Sequence, residues 1–203
     1  PGAYFVAAGA SYFYAILYAQ LDKNIDSSTV SGFGYEWTRF SQETLTPWER
    51  SDLFLRYFKI FPWDSLPQKP VGFDLGAGSG RWALCVAPKV ARLHCIDASE
   101  EALVVARHNL RELPNCKFHL ASVDEIPLPD NSMDFGYSLG VLHHVPDTAA
   151  GIKSCVVKLK PGAPFLLYLY YALDNRPSWY RWIWSLSDLL RRIICQLPHS
   201  GRY

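Results

Sequence analysis

The sequence lacks the features that mark several large classes of protein. Its 203 residues carry 20 lysines and arginines against 19 aspartates and glutamates, a formal net charge of +1. Nucleic acid is therefore not an expected partner, because its binding needs basic side chains that neutralise phosphates. The 5 cysteines are scattered, without a Cys-x-x-Cys pair. This pattern predicts a reducing, cytoplasmic compartment, and neither a disulfide scaffold nor a structural zinc or other metal site.

Charge is also missing from residues 1–21, a stretch long enough to raise the question of a membrane span. Alanine, glycine, serine and tyrosine dominate this stretch, and no basic residues precede it as they would in a secretory signal. We expect a helix that packs on the domain or on a second copy rather than one that enters a membrane. With the polar residues that follow, it makes the first predicted region, an N-terminal helix and linker over residues 1–31.

What the sequence does contain is a glycine-rich turn after a short apolar strand, in residues 71–81 (VGFDLGAGSGR). Gly76, Gly78 and Gly80 allow a tight turn and a close approach of a ligand to the backbone. A strand, a tight turn and a helix start in this order favour a nucleotide-type pocket. The third glycine comes one residue early for a dinucleotide fingerprint, and no Gly-Lys-Ser/Thr follows for a P-loop. Asp74 suits a ligand with an amino group or ribose hydroxyls better than one with a phosphate.

Strands and helices alternate beyond this turn. The predicted strands cover residues 71–75, 92–96, 116–121, 135–142 and 164–171, and the predicted helices cover residues 47–61, 81–87, 102–113 and 147–159. This alternation implies right-handed crossovers and a doubly wound, mostly parallel α/β sheet with helices on both faces, over residues 32–175. No sixth and seventh strands are found, so we expect a truncated domain or a second copy that covers the apolar sheet edge as a homodimer.

The last predicted region, residues 176–203, contains an amphipathic helix over residues 177–197. Its tryptophans, leucines and isoleucines have helical spacing, and arginines lie on or near the polar side. One interpretation is a helix that lies on a membrane surface. The interpretation we favour is a helix that covers the sheet or makes a dimer contact.

Candidate site residues stand at the ends of the predicted strands, where doubly wound sheets bind ligands. Asp97 ends the second strand, and its carboxylate can accept from two neighbouring ribose hydroxyls. Asp124 ends the third strand and can accept from an exocyclic amine, while the backbone near Val123 meets a ring nitrogen. The fourth strand leads to His143 and His144.

These motifs resemble those of the class I S-adenosylmethionine-dependent methyltransferases, with Asp-x-Gly-x-Gly-x-Gly as the first motif. Residues 137–147 (YSLGVLHHVPD) and the turn at residues 160–162 are similar to the small-molecule group related to ubiquinone and menaquinone biosynthesis enzymes. Residues 33–40 resemble a stretch that precedes the domain in some bacterial members. The resemblance implies S-adenosylmethionine as cofactor. The cofactor-binding residues that we expect are Asp74, Gly76, Ala77, Gly78, Gly80, Asp97, Ala98, Val123, Asp124 and Leu139.

The resemblance also implies a methyl transfer to a small-molecule acceptor by in-line displacement. His143 and His144 are candidate general bases for a hydroxyl or an acidic carbon, unless one packs structurally and the other caps the next helix. Tyr35, Trp37 and Arg39 either cover the cofactor pocket or form a hydrophobic lid on the core. Two rival functions are a non-catalytic cofactor-binding or assembly protein with the same fold and, against the glycine spacing, a nicotinamide-dependent oxidoreductase.

Overall fold

A computed structural model describes residues 23–39, 46–170 and 176–196. The helix predicted within residues 1–21 lies outside these residues. The described chain forms two compact units that divide after Leu169. The helices are α1 (Ser27–Arg39), α2 (Pro47–Tyr57), α3 (Ala83–Val86), α4 (Glu100–Asn109), α5 (Thr148–Lys158) and α6 (Ser178–Gln196). The strands are β1 (Val71–Leu75), β2 (Arg92–Asp97), β3 (Cys116–Leu120), β4 (Phe135–Leu139) and β5 (Phe165–Tyr168).

The first unit is built on a 5-stranded sheet in the order β3-β2-β1-β4-β5. Every strand pair in it is parallel. The order reverses between β1 and β4, so their carboxyl ends open a crevice at the switch point. The predicted doubly wound parallel fold is confirmed.

Both faces of the sheet are covered, and the central strands β1 and β4 are correspondingly buried. One face packs on α2, α3 and α4 through side chains such as Phe58, Trp82 and Ala106. The other face packs on α5 and on the loop after β3 through side chains such as Phe73, Ile96 and Cys155. These two layers hold the strand ends in fixed positions, as a binding site requires.

Helix starts follow the signals in the sequence. Thr46 and Glu49 cap α2 reciprocally, since the Thr46 hydroxyl accepts from the Glu49 N–H and Glu49 accepts from the Thr46 N–H. Ser99 accepts from Ala102 N at the start of α4, as its position predicts. Asp147 accepts in the same way from Ala150 N at the start of α5.

Several boundaries differ from the sequence predictions; α2 and α4, for example, each end four residues earlier than predicted. The fourth strand ends at Leu139 rather than at residue 142, because Gly140 has a φ of +78° and turns the chain into a short 3-10 segment, Leu142–His144. The linker predicted up to residue 31 is wrong in its second half, because α1 already begins at Ser27. Helix α1 therefore runs across the predicted domain boundary.

The second unit contains α6, an amphipathic helix at the predicted place. Its described apolar side chains are exposed, among them Trp179, Trp182, Ile183, Leu186 and Leu189. Across the described ranges, none of the helices combines the length and the apolar character that crossing a membrane would require.

Candidate functional site

The glycine turn after β1 is held against the end of β2. The N–H groups of Gly76 and Ala77 both donate to the Ile96 carbonyl, at 2.8 Å and 3.1 Å. Gly76, Gly78 and Gly80 all have positive φ, between +52° and +78°. A Cβ built on Gly76 would lie 2.3 Å from Cγ2 of Val141. The turn therefore needs glycine both for its backbone conformation and for its contact with the loop after β4.

Asp97 ties this turn to the start of α4. Its Oδ2 accepts from Gly78 N at 2.8 Å, and its Oδ1 accepts from Ser99 N at 2.9 Å. Burial raises the pKa of Asp97, and the N–H groups of Ser99, Gly78 and Ala98 act against this rise. Each carboxylate oxygen can accept a second hydrogen bond. The carboxylate thus holds the turn while keeping acceptor capacity for ligand hydroxyls.

Asp74 lies beneath the turn rather than on its surface. It is 1% exposed and pairs in register with Cys95 of β2 and Tyr137 of β4. Its Oδ2 and the Tyr137 hydroxyl are buried without a well-formed hydrogen bond among the described residues. Burial raises the pKa of Asp74 to about 8, although the nearby Tyr137 hydroxyl acts in the opposite direction. Asp74 is therefore mostly protonated at neutral pH and brings little negative charge to the site.

The end of β3 lies beside Asp97, because Ala121 N donates to the Asp97 carbonyl at 2.9 Å. The chain then forms a short 3-10 segment, Val123–Glu125, in which Val123 is buried and Asp124 is exposed. Oδ2 of Asp124 accepts a hydrogen bond from the backbone N–H of Asn24. The predicted adenine-side residues are therefore joined to the segment that leads into α1.

Helix α1 contacts the ends of two strands. The Phe33 ring lies edge-on to the His144 ring, with centroids 5.0 Å apart, in the loop after β4. Gly34 is so close to the start of α4 that a Cβ on it would lie 2.7 Å from the Ser99 hydroxyl. Because β1 lies between β2 and β4, α1 crosses the carboxyl edge of the sheet near the glycine turn. Tyr35 itself is 55% exposed, and the side chains of Trp37 and Arg39 lie outside the described structure.

His143 and His144 stand together in the loop after β4, with ring centroids 4.0 Å apart. Burial lowers the pKa of both residues, and the charge of Asp26 partly opposes this effect at His144. Both rings are therefore neutral near pH 7, the form in which a histidine can accept a proton. Leu139, the residue predicted on the methionine side, is half-buried and packs against the core.

Three polar side chains in this region escaped the sequence interpretation. The hydroxyls of Ser79, in the glycine turn, and Ser122, before Val123, are buried without a hydrogen-bond partner among the described residues. Asn24 lies 100 residues before Asp124 in the chain and still contacts it. Position next to a motif could have indicated the two serines, whereas no local signal marks Asn24.

Comparison with known proteins gives a consistent picture. Residues 73–167 match the profile of a family described as a methyltransferase domain. The chain is 32% identical over 104 residues to the uncharacterized methyltransferase YcgJ of Bacillus subtilis, covering 50% of this chain and 41% of that protein. It is 30% identical over 159 residues to the ubiquinone biosynthesis O-methyltransferase of Hahella chejuensis, covering 76% of this chain and 64% of that protein.

The fold of this chain is also similar to that of a solved structure, in agreement with these sequence matches. The crystal structure of YcgJ from Bacillus subtilis superposes with a TM-score of 0.53 at 27% identity, covering 57% of this chain and 50% of that one. The chain thus spans less than two thirds of the length of these relatives. The family match at residues 73–167 contains the glycine turn and most of the sheet.

Proposed function

We propose that this chain binds S-adenosylmethionine and transfers its methyl group to a small-molecule acceptor. The premise is that residues 73–167 belong to the class I S-adenosylmethionine-dependent methyltransferase family. The methyltransferase resemblance found in the sequence is confirmed by this match. Because the chain spans only part of its relatives, the activity of the whole protein is part of the proposal. A relative named for ubiquinone biosynthesis supports a small molecule as the acceptor class.

The observation that carries the proposal is the Asp97 carboxylate bound to the Gly78 N–H. The carboxylate stands beside the glycine turn that follows β1, next to the switch point. Its remaining lone pairs could accept from the two hydroxyls of an unphosphorylated ribose. Gly76 and Gly78, at which a positive φ favours glycine, place no side chain between a ligand and the backbone of the turn. The residues present therefore fit an adenosine-containing cofactor.

The remaining groups have roles that this cofactor would need. When bound, S-adenosylmethionine supplies a methyl group already activated by its sulfonium. Helix α1 reduces the access of water to the strand ends. Neutral His143 or His144 can take the proton of a hydroxyl acceptor. The protein then has chiefly to position the acceptor atom in line with the bond that breaks.

Calorimetric titration tests the cofactor. We expect S-adenosylmethionine to bind and NADH not to bind, and the reverse result would favour an oxidoreductase. Asp97→Ala removes the acceptors for two hydroxyls. Because a hydrogen bond to a charged group contributes about 1.5–3 kcal/mol, the affinity for S-adenosylmethionine should fall by about 100-fold or more.

A matched acid provides the control for this variant. Glu112→Ala removes a carboxylate from the end of the α4 region, where it lies 3.5 Å from the Arg111 guanidinium and its side chain is 87% exposed. This change should leave the affinity unchanged. Circular dichroism of both variants checks that the turn still folds, since Asp97 also holds Gly78 and Ser99. Unchanged cofactor affinity in a folded Asp97→Ala variant would remove Asp97 from the site.

Transfer of a labelled methyl group from S-adenosylmethionine to components of a cell extract separates an enzyme from a binding protein. We expect the label to appear in a small molecule, which passes through a filtration membrane that retains protein. Cofactor binding without any labelled product would favour the non-catalytic alternative.

A further inference from the structure

Asn24 joins the segment before α1 to two loops of the candidate site. It is a polar residue only 9% exposed. Its Nδ2 donates to the Asp147 carbonyl at 2.6 Å, and its Oδ1 accepts from the Asp147 N–H at 2.7 Å. Its own backbone N–H donates to Oδ2 of Asp124. One residue thus bridges the loops that follow β3 and β4.

An ion pair between the same segment and the loop after β3 contributes much less. Lys23 pairs with Glu125 at 3.1 Å, but both side chains are more than half exposed, so the pair adds little stability. The two side-chain bonds of Asn24 go to the backbone of Asp147, which caps α5 and is held there by Ala150 N. Asn24 therefore takes its position from a rigid helix start, and its N–H is directed at Asp124 from that fixed point.

We propose that Asn24 is a positioning residue for adenine recognition, which fixes the Asp124 carboxylate so that its other oxygen, Oδ1, accepts from the exocyclic amine of the cofactor. The inference rests on the proposed function, because it takes an adenosine cofactor as the ligand. Asp124 is exposed on a one-turn segment, where its carboxylate would otherwise rotate. Holding one oxygen of a planar carboxylate sets the direction of the second oxygen.

The same contacts would also connect adenine recognition to the attachment of α1 at the strand ends. The helix begins three residues after Asn24 and reaches Ser99 and His144 through Gly34 and Phe33. If Asn24 releases Asp124, the segment that leads into α1 also loses its attachment to the strand ends. Asn24 thus acts through Asp124 and through the helix, without contacting a reacting atom.

The test uses two ligands that differ at one position of the base. S-adenosylhomocysteine carries the exocyclic amine, and S-inosylhomocysteine carries an oxygen there. Wild type should bind the adenosyl compound at least about tenfold more tightly, the size of one hydrogen bond to a charged acceptor. Asn24→Ala should reduce this preference to within about twofold. A residue that only supports the fold would weaken both ligands equally and leave their ratio unchanged.

Three further variants sharpen the comparison. Asn24→Asp keeps an acceptor for the Asp147 N–H but loses the donor, so it should lose the preference as well and serves if the alanine variant does not fold. Asp124→Asn should lose the preference by itself. Ser31→Ala is the control on the same helix, since its hydroxyl bonds only to the Ser27 carbonyl within α1, and it should keep the wild-type ratio.

The outcomes separate this inference from the proposed function. A wild type that binds neither compound contradicts the proposed function. A wild type that binds both equally, or folded Asn24 variants that keep the wild-type preference, would overturn the role of Asn24 and leave the cofactor assignment intact. Loss of preference in the Asn24 and Asp124 variants with retention in Ser31→Ala supports it.

Discussion

Replacing Gly76 by alanine should destabilise the domain much more than the same change at Gly162. The two glycines have similar positive φ, +77° and +80°. A Cβ on Gly76 would lie 2.3 Å and 2.6 Å from the two methyl carbons of Val141, whereas a Cβ on Gly162 would meet nothing within 4 Å. Positive φ costs alanine about 1–2 kcal/mol at either position. Overpacking adds about 1–3 kcal/mol at Gly76 alone.

We therefore expect the free energy of unfolding to fall by about 2–5 kcal/mol in Gly76→Ala and by about 1–2 kcal/mol in Gly162→Ala. Urea denaturation monitored by tryptophan fluorescence measures both values, with unchanged slopes as the check on two-state behaviour.

Val141→Ala supplies the decisive comparison, because it removes the two methyl groups that the new Cβ would strike. The double variant should be more stable than the sum of the single changes predicts, by about 1 kcal/mol or more. Equal losses at Gly76 and Gly162, or strict additivity with Val141→Ala, would refute the close packing between the glycine turn and the loop after β4.

Two other predictions concern the buried acid and the exposed helix. Because burial raises the pKa of Asp74 to about 8, the folded state keeps a proton that the unfolded state loses above about pH 4, so wild-type stability should fall as pH rises from about 4 to about 8. The free energy of unfolding of the Asp74→Asn variant, measured by urea denaturation, should fall less over this pH range. Parallel curves of unfolding free energy against pH for the two proteins would contradict the raised pKa of Asp74. On α6, Trp182 and Leu186 are 74% and 49% exposed, and we expect such apolar side chains to promote self-association. Sedimentation velocity should show less association in the Trp182→Ser, Leu186→Ser double variant, and a monomeric wild type would contradict this expectation.

The parallel sheet could be predicted because its signals are local and repeat along the chain. Apolar runs, turn residues and helix caps such as Ser99 and Asp147 each indicate a boundary without knowledge of the rest of the fold. The end of β4 was mispredicted because residues 140–142 are Gly, Val and Leu, which continue an apolar run. Only the positive φ of Gly140 separates the strand from the loop that carries His143 and His144.

Helix α1 shows where local signals fail. Its serines and glycines indicate a turn or linker, but the helix contacts His144 through Phe33 and the start of α4 through Gly34. Gly34 and Ser99 are 65 residues apart in the sequence, and Phe33 and His144 are 111 residues apart. The small size of Gly34, which weakens a helix in isolation, is what allows the close approach to Ser99. Tertiary packing thus reverses the preference that composition alone indicates.

Asp97 shows a different limit of sequence reasoning. An acid at a strand end can cap a helix or bind a ribose, and its position in the sequence does not distinguish these roles. In the structure one carboxylate already holds Gly78 and Ser99, and each oxygen has a further lone pair. The two roles are therefore compatible, and they support each other, because the acid that would bind the ribose also fixes the turn beside it. A structural contact at such a residue is consequently no argument against a role in binding.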